Sequence, residues 1–205
     1  MGFYEDVVLP HVIDFTCGMK ELDPERAATA AGLSGTVLEI GFGSGLNLPH
    51  LPPGVERVLA VDPSARGRKI ASKRIAALGR PVVPIGLDAG KVDAETASAD
   101  SALCTFTLCT VPRAEDALAE VRRVLKPGGR FHFLEHGQAP DPSVKKWQDR
   151  LNGFQRFVAG GCNLNRDVFS LVRGAGFAIV EETARYFPGM PKTHAWLCRG
   201  VAVAS

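Results

Sequence analysis

Three glycines alternate in Gly41-x-Gly43-x-Gly45, directly after the apolar run 37–40. Glycines at the end of a strand let backbone N–H groups come close to a ligand, which is how a nucleotide is held at the mouth of a parallel sheet. The dinucleotide fingerprint G-x-G-x-x-G would need a third glycine at position 46, where Leu46 stands. Glu39 sits two residues before the first glycine. A carboxylate there would repel a pyrophosphate held on backbone N–H groups, so it points to a cofactor carrying positive charge. Asp62, 21 residues after Gly41, can accept both ribose hydroxyls, a device that NAD sites share. Asp88 is placed to meet an adenine amino group. No G-x-x-x-x-G-K-[ST] occurs, which excludes a P-loop NTPase.

The sulfonium and ammonium groups of S-adenosylmethionine (SAM) meet the charge requirement that Glu39 sets. An acceptor would then lie outside the carboxyl ends of the strands. Two short runs occupy such ends: Leu108-Cys109-Thr110 and Glu135-His136-Gly137. His136 titrates near neutrality and is the candidate general base, the other reading being a hydrogen bond to a loop. Cys109 reads as a pocket wall, since direct displacement at a SAM methyl needs no nucleophile on the protein. The run 160–167 (GGCNLNRD) has two glycines for a bend and Asn165 as a helix N-cap. Cys162, Asn163 and Arg166 are left over as substrate-binding candidates.

The elements that must position these residues alternate between β-type and helical patterns, which means βαβ units and a parallel sheet. Strands are expected at about 36–40, 56–61, 81–86, 99–107 and 130–135. Helices are expected at about 64–78, 113–125, 143–158 and 165–175. The last apolar runs, 177–184 and 194–203, are joined through 187–191 (FPGMP), where no helix fits. They are expected to form an antiparallel hairpin at the sheet edge. Ahead of the first strand, 3–18 has helical apolar spacing interrupted at Pro10, and Asp23-Pro24 starts a helix that Gly32 ends. The 3–18 segment packs on the sheet, closes over the pocket with Tyr4 against substrate, dimerises, or lies on a membrane. Its acidic face (Glu5, Asp6, Asp14) ranks the last option lowest.

A chain of 205 residues suits one domain. A net charge of +2 and no basic stripe argue against nucleic acid as a partner. The five cysteines form no CxxC pair, which argues against a disulfide framework and a zinc knuckle, so no metal is expected and a reducing cytoplasm fits. Neither a signal peptide nor a membrane-spanning run is expected.

In sequence, VLEIGFGSG, VLAVDPS, GLDAG, ALCTFTLCTV and VRRVLKPGGRFHFLEHG resemble the successive motifs of class I SAM-dependent methyltransferases over about residues 36–137. The resemblance implies an α/β, Rossmann-like, seven-stranded, mostly parallel sheet of order 3-2-1-4-5-7-6 spanning one domain, with 1–31 as an N-terminal helical cap. It implies that Glu39, Gly41, Gly43 and Gly45 line the methionine side, that Asp62 takes the ribose, and that Asp88 with Ala89 takes the adenine. Thr105 lies beside the methionine, and Asn47 and Pro63 join the cofactor set. The product would be S-adenosylhomocysteine. The LCTV, LEH and G-C-x-L-x-R runs further resemble the branch of membrane-associated alkyl-thiol methyltransferases, which implies a small or lipophilic thiol acceptor. A hydrophobic N-terminal anchor like that of those enzymes is not expected here. C-methylation of a quinone, N-methylation of a phospholipid headgroup and a SAM-binding module without turnover are the alternatives. An NAD-linked oxidoreductase is disfavoured by Glu39 and Leu46. Oligomeric state is left open.

Overall fold

The computed structural model describes residues 2–204. Four runs are buried almost end to end, as strands covered on both faces must be. They form β1 (Gly35–Ile40), β2 (Val55–Val61), β4 (Ala99–Thr105) and the second half of β5 (Leu125–His136). β3 (Val82–Gly86) is half exposed at one edge. β6 (Phe177–Tyr186) and β7 (Trp196–Ala204) close the other edge. The order is β3-β2-β1-β4-β5-β7-β6, parallel except at β5–β7 and β6–β7. This is the expected Rossmann-like sheet with its antiparallel hairpin.

Helices cover both faces. α4 (Ala114–Val124) buries Ala114, Ala117, Leu118, Val121 and Val124, a helical stripe facing the sheet. Its acidic first turn and basic last turn complement the helix dipole. α3 (Ala65–Leu78) starts at Ser64, whose hydroxyl accepts from Gly67 N, and stops at Gly79 in the left-handed conformation. α5 (Pro142–Val158) and α6 (Val168–Gly174) complete the layers. Before the sheet come a π-helical turn (Tyr4–Val8), α1 (Leu9–Cys17) and α2 (Asp23–Ala30). Pro10 sits in the first turn of α1, just where the π-helical turn passes into it, so the interruption is a change of helix type rather than a break.

The structure differs from the sequence reading at three junctions. β5 begins at Leu125 because Leu125 pairs with Ala99, the register shifting before Arg130 pairs with Ser101. α6 is capped by Asp167, which accepts from Ser170 N, and not by Asn165, whose amide donates to Asp149. One helical turn, α7 (Lys192–Ala195), does fit between β6 and β7.

Candidate functional site

β1 delivers the glycine loop to the carboxyl edge of the sheet, where Gly41 N and Phe42 N both donate to Val61 O at the end of β2. Gly41 and Gly43 have positive φ, +74° and +54°. A side chain at Gly41 would collide with Thr107, whereas at Gly43 a Cβ would have only Gly41 O near it, at 3.9 Å. Gly67 of α3 packs directly on this loop, since a Cβ there would lie 2.9 Å from Gly43 O. Asp62 Oδ2 accepts from Gly43 N (2.8 Å) and Oδ1 from Ser64 N (2.7 Å). Burial raises the Asp62 carboxyl above its usual range, more than those two N–H groups lower it.

Beneath the loop lies a buried polar chain. Asn47 Nδ2 donates to Glu39 Oε1 (2.7 Å) and to Thr105 Oγ1 (3.0 Å). Arg26 Nη1 donates to Asn47 Oδ1 (2.6 Å) and Thr105 Oγ1 (3.1 Å), and Nη2 donates to Cys17 O (2.9 Å). Burial pushes the Glu39 carboxyl up to about 7, with Asn47 and Arg26 pulling against it. Glu39 Oε2 is buried without a hydrogen-bond partner among the described residues. The Arg26 guanidinium lies 5.4 Å from the ring centre of Phe106, a residue held at φ +52°. Arg26 is the residue that sequence reasoning missed. Nothing in DPERAATA marks one arginine of a short helix as 3% exposed.

Above this chain opens a cavity of about 530 Å³. Of the expected cofactor residues, Gly41, Gly43, Asn47, Asp62, Pro63, Asp88, Ala89 and Thr105 line it. Glu39 lies below the wall, and Gly45 is a packing glycine wedged among Leu48, Phe42 and Ala71. The opposite wall is α1, through Leu9, Pro10, Ile13 and Cys17.

Residues 38–133 match the model of a methyltransferase domain. The chain is 37% identical over 156 residues to the thiol S-methyltransferase TMT1A of Homo sapiens, covering 72% of this chain and 63% of that protein. It is 35% identical over 158 residues to human TMT1B, covering 73% and 64%. Over residues 38–133 the chain carries a methyltransferase domain. It spans less than two thirds of the length of these curated relatives. The solved structure of a SAM-dependent methyltransferase of Thermotoga maritima shares the fold, with a TM-score of 0.69, 21% identity, and coverage of 99% of this chain and 98% of that one.

On the acceptor side, the structure differs from the sequence reading. Tyr4, Cys109, His136, Cys162, Asn163 and Arg166 do not line the cavity. Tyr4 donates its hydroxyl to Val158 O (2.6 Å), tying the π-turn to the end of α5. Arg166 donates to Leu108 O and to Val111 O (2.8 Å). Asn163 gives both its backbone N and its Nδ2 to Cys109 O, each at 2.8 Å. These two side chains hold the 107–111 loop, because its carbonyls would otherwise be buried unpaired. Glu135 does the same for its N–H groups, accepting from Thr107, Leu108 and Cys109. Cys109, His136 and Cys162 meet behind the wall. Cys162 Sγ is 3.7 Å from Cys109 Sγ and 3.3 Å from His136 Nε2. The cysteine spacing argued against a metal site, but the fold brings these three donors together from separate elements.

Proposed function

We propose that the protein transfers the methyl group of SAM to the sulfur of a small or lipophilic thiol. The observation that carries this reading is a two-sided cavity: polar lining from Asn47, Arg26 and Thr105, with Glu39 bonded to Asn47 behind them, and apolar lining from Leu9, Pro10 and Ile13. The likeness to thiol S-methyltransferases supports the choice of acceptor.

SAM bound there supplies a methyl group on a positively charged sulfur. The chain's own residues bind and align. Glu39 gives its unpaired carboxylate oxygen to the ammonium group, and Arg26 offers its guanidinium to the carboxylate at the same end. Asp62 keeps lone pairs for the ribose hydroxyls, and Asp88 with Ala89 flanks the adenine. α1 covers the acceptor and excludes water, so that much of the rate comes from alignment. A thiol is partly ionised near pH 7 and asks little of a general base.

The test is release of S-adenosylhomocysteine from SAM across alkyl thiols, sulfide, phenols, amines, a phospholipid headgroup amine and a quinol. Turnover confined to thiols is expected. Turnover with quinol or amine alone would overturn the acceptor, and SAM binding without any product would mark a binding module.

A further inference from the structure

The three donors behind the cavity come from three places in the chain. Cys109 lies in the loop after β4, His136 ends β5, and Cys162 follows α5. Their ligand atoms all lie within 4.8 Å of one another. A tetrahedral zinc ion with Zn–S near 2.3 Å and Zn–N near 2.0–2.1 Å sets its sulfurs about 3.8 Å apart and each sulfur about 3.5 Å from the nitrogen. Cys162 Sγ lies 3.7 Å from Cys109 Sγ and 3.3 Å from His136 Nε2, and the third separation is within 4.8 Å.

The spacing is held by bonds of the backbone, not of the donor atoms themselves. Cys109 N donates to Glu135 Oε2 (3.1 Å), and Cys109 O is gripped twice by Asn163, the residue after Cys162. Gly160 and Gly161, at φ +60° and +95°, turn the chain to present Cys162. Two thiols and an imidazole are the ligand types that zinc prefers. A disulfide would use only the two sulfurs, would need them to close to about 2.05 Å, and would give the imidazole nothing to do.

We propose that Cys109, His136 and Cys162 bind one Zn²⁺ ion, with a fourth coordination position left for a small ligand. Binding converts two thiols to thiolates and releases two protons to solvent. Cys109 Sγ lies 3.5 Å from Thr110 Oγ1, and Thr110 lines the cavity, so one side chain separates the metal site from the ligand space. As a ligand, His136 has no lone pair left to act as a base. The site does not depend on which acceptor the enzyme uses.

The experiment titrates metal-free protein, kept reduced with a phosphine, with Zn²⁺ against a chromogenic chelator, and separately with Co²⁺ as a spectroscopic probe. One equivalent of zinc is expected. Cobalt should give a thiolate charge-transfer band in the near ultraviolet and intense visible bands of tetrahedral geometry. Cys162→Ser and Cys109→Ser should each weaken zinc binding by about 100-fold or more, and Cys198→Ser, in β7, should leave it unchanged; related losses of 10–100-fold follow even from removing groups that only orient ligands. Should Cys109→Ser fail to fold, the alkylation rate of Cys162 in the unaltered protein is a second readout, and it should fall when zinc is added. Three results would overturn the proposal: no stoichiometric binding at micromolar zinc, only weak octahedral cobalt bands, or a Cys109–Cys162 disulfide in protein that takes up no zinc after reduction.

Discussion

Glu39 shows how one residue trades stability for binding. Its carboxyl is raised by burial from about 4.5 to about 7, so the folded protein holds a proton between those values that the unfolded chain has lost. The sign is fixed: the contribution is fully present below the unfolded value, falls as pH rises, and is gone above about 7. Two and a half units correspond to about 3 kcal/mol. Denaturant melts of unliganded wild type and Glu39→Gln at pH 5 and pH 8 should therefore change in relative stability by about 2.5 kcal/mol, in the variant's favour at the higher pH. SAM affinity should move the other way. A cationic group needs the ionised carboxylate, so wild-type affinity should fall up to tenfold per pH unit below 7, and calorimetry of Glu39→Gln should show weak binding with little of that slope. Gly43→Ala is a second case. The added methyl points into the cavity and not into protein, so the cost is the positive φ alone, about 1–2 kcal/mol. The variant should fold by circular dichroism and lose SAM binding. Glu39, Asp62 and the glycines were legible in the sequence because their chemistry is local to a strand end. Arg26 was not, because its meaning comes from Asn47 and Thr105, 21 and 79 residues away.

At the scale of elements, the strand cores were legible because continuous apolar runs have no other use in an α/β chain. Ends were less so. The pairing of Leu125 with Ala99 and the diversion of the Asn165 amide to Asp149 are decided by tertiary partners, not by local preference. Nor could spacing choose among the roles open to 3–18, of which α1 is the part that covers the cavity through Leu9, Pro10 and Ile13. One arginine latches that cover. Arg74 of α3 donates to Asp14 Oδ1 on α1 (2.8 Å) and to Ser44 O in the glycine loop (2.9 Å). Both side chains of the ion pair are about a quarter exposed, so the pair is worth about 1 kcal/mol or less. Arg74→Ala should weaken SAM binding by about fivefold and speed proteolytic cleavage within 3–18, while the global melting temperature changes little. Equal cleavage rates in variant and wild type would detach α1 from the cofactor loop. Gly67→Ala tests the other side of the same loop. Its methyl meets the Gly43 backbone, which cannot rotate away as a side chain could, so a loss of 1–3 kcal/mol is expected together with weaker SAM binding.

For the molecule as a whole, the cavity lies between parts that share little else. The sheet edge supplies Gly41 and Thr105, α1 supplies Leu9 and Ile13, and the loop after β3 supplies Asp88 and Ala89. The convergence of Cys109, His136 and Cys162 has the same origin, and no spacing rule on the sequence reaches across 53 residues. A ligand that touches all of these parts binds the folded state alone, and mass action then stabilises the fold. At a SAM concentration of 100 times Kd the gain is about 2.7 kcal/mol. For a chain of 205 residues, each kcal/mol moves the midpoint by about 2–4 °C, so a rise of roughly 5–11 °C is expected. S-adenosylhomocysteine should act likewise, whereas Gly43→Leu should abolish the shift without lowering the unliganded midpoint by more than a few degrees. NADH gives the discriminating comparison, since the pyrophosphate meets the Glu39 carboxylate beneath the loop and should leave the midpoint unmoved even at millimolar concentration. A shift with NADH equal to that with SAM would mean that Glu39 does not face the ligand, and the charge argument that began with one carboxylate beside three glycines would fail.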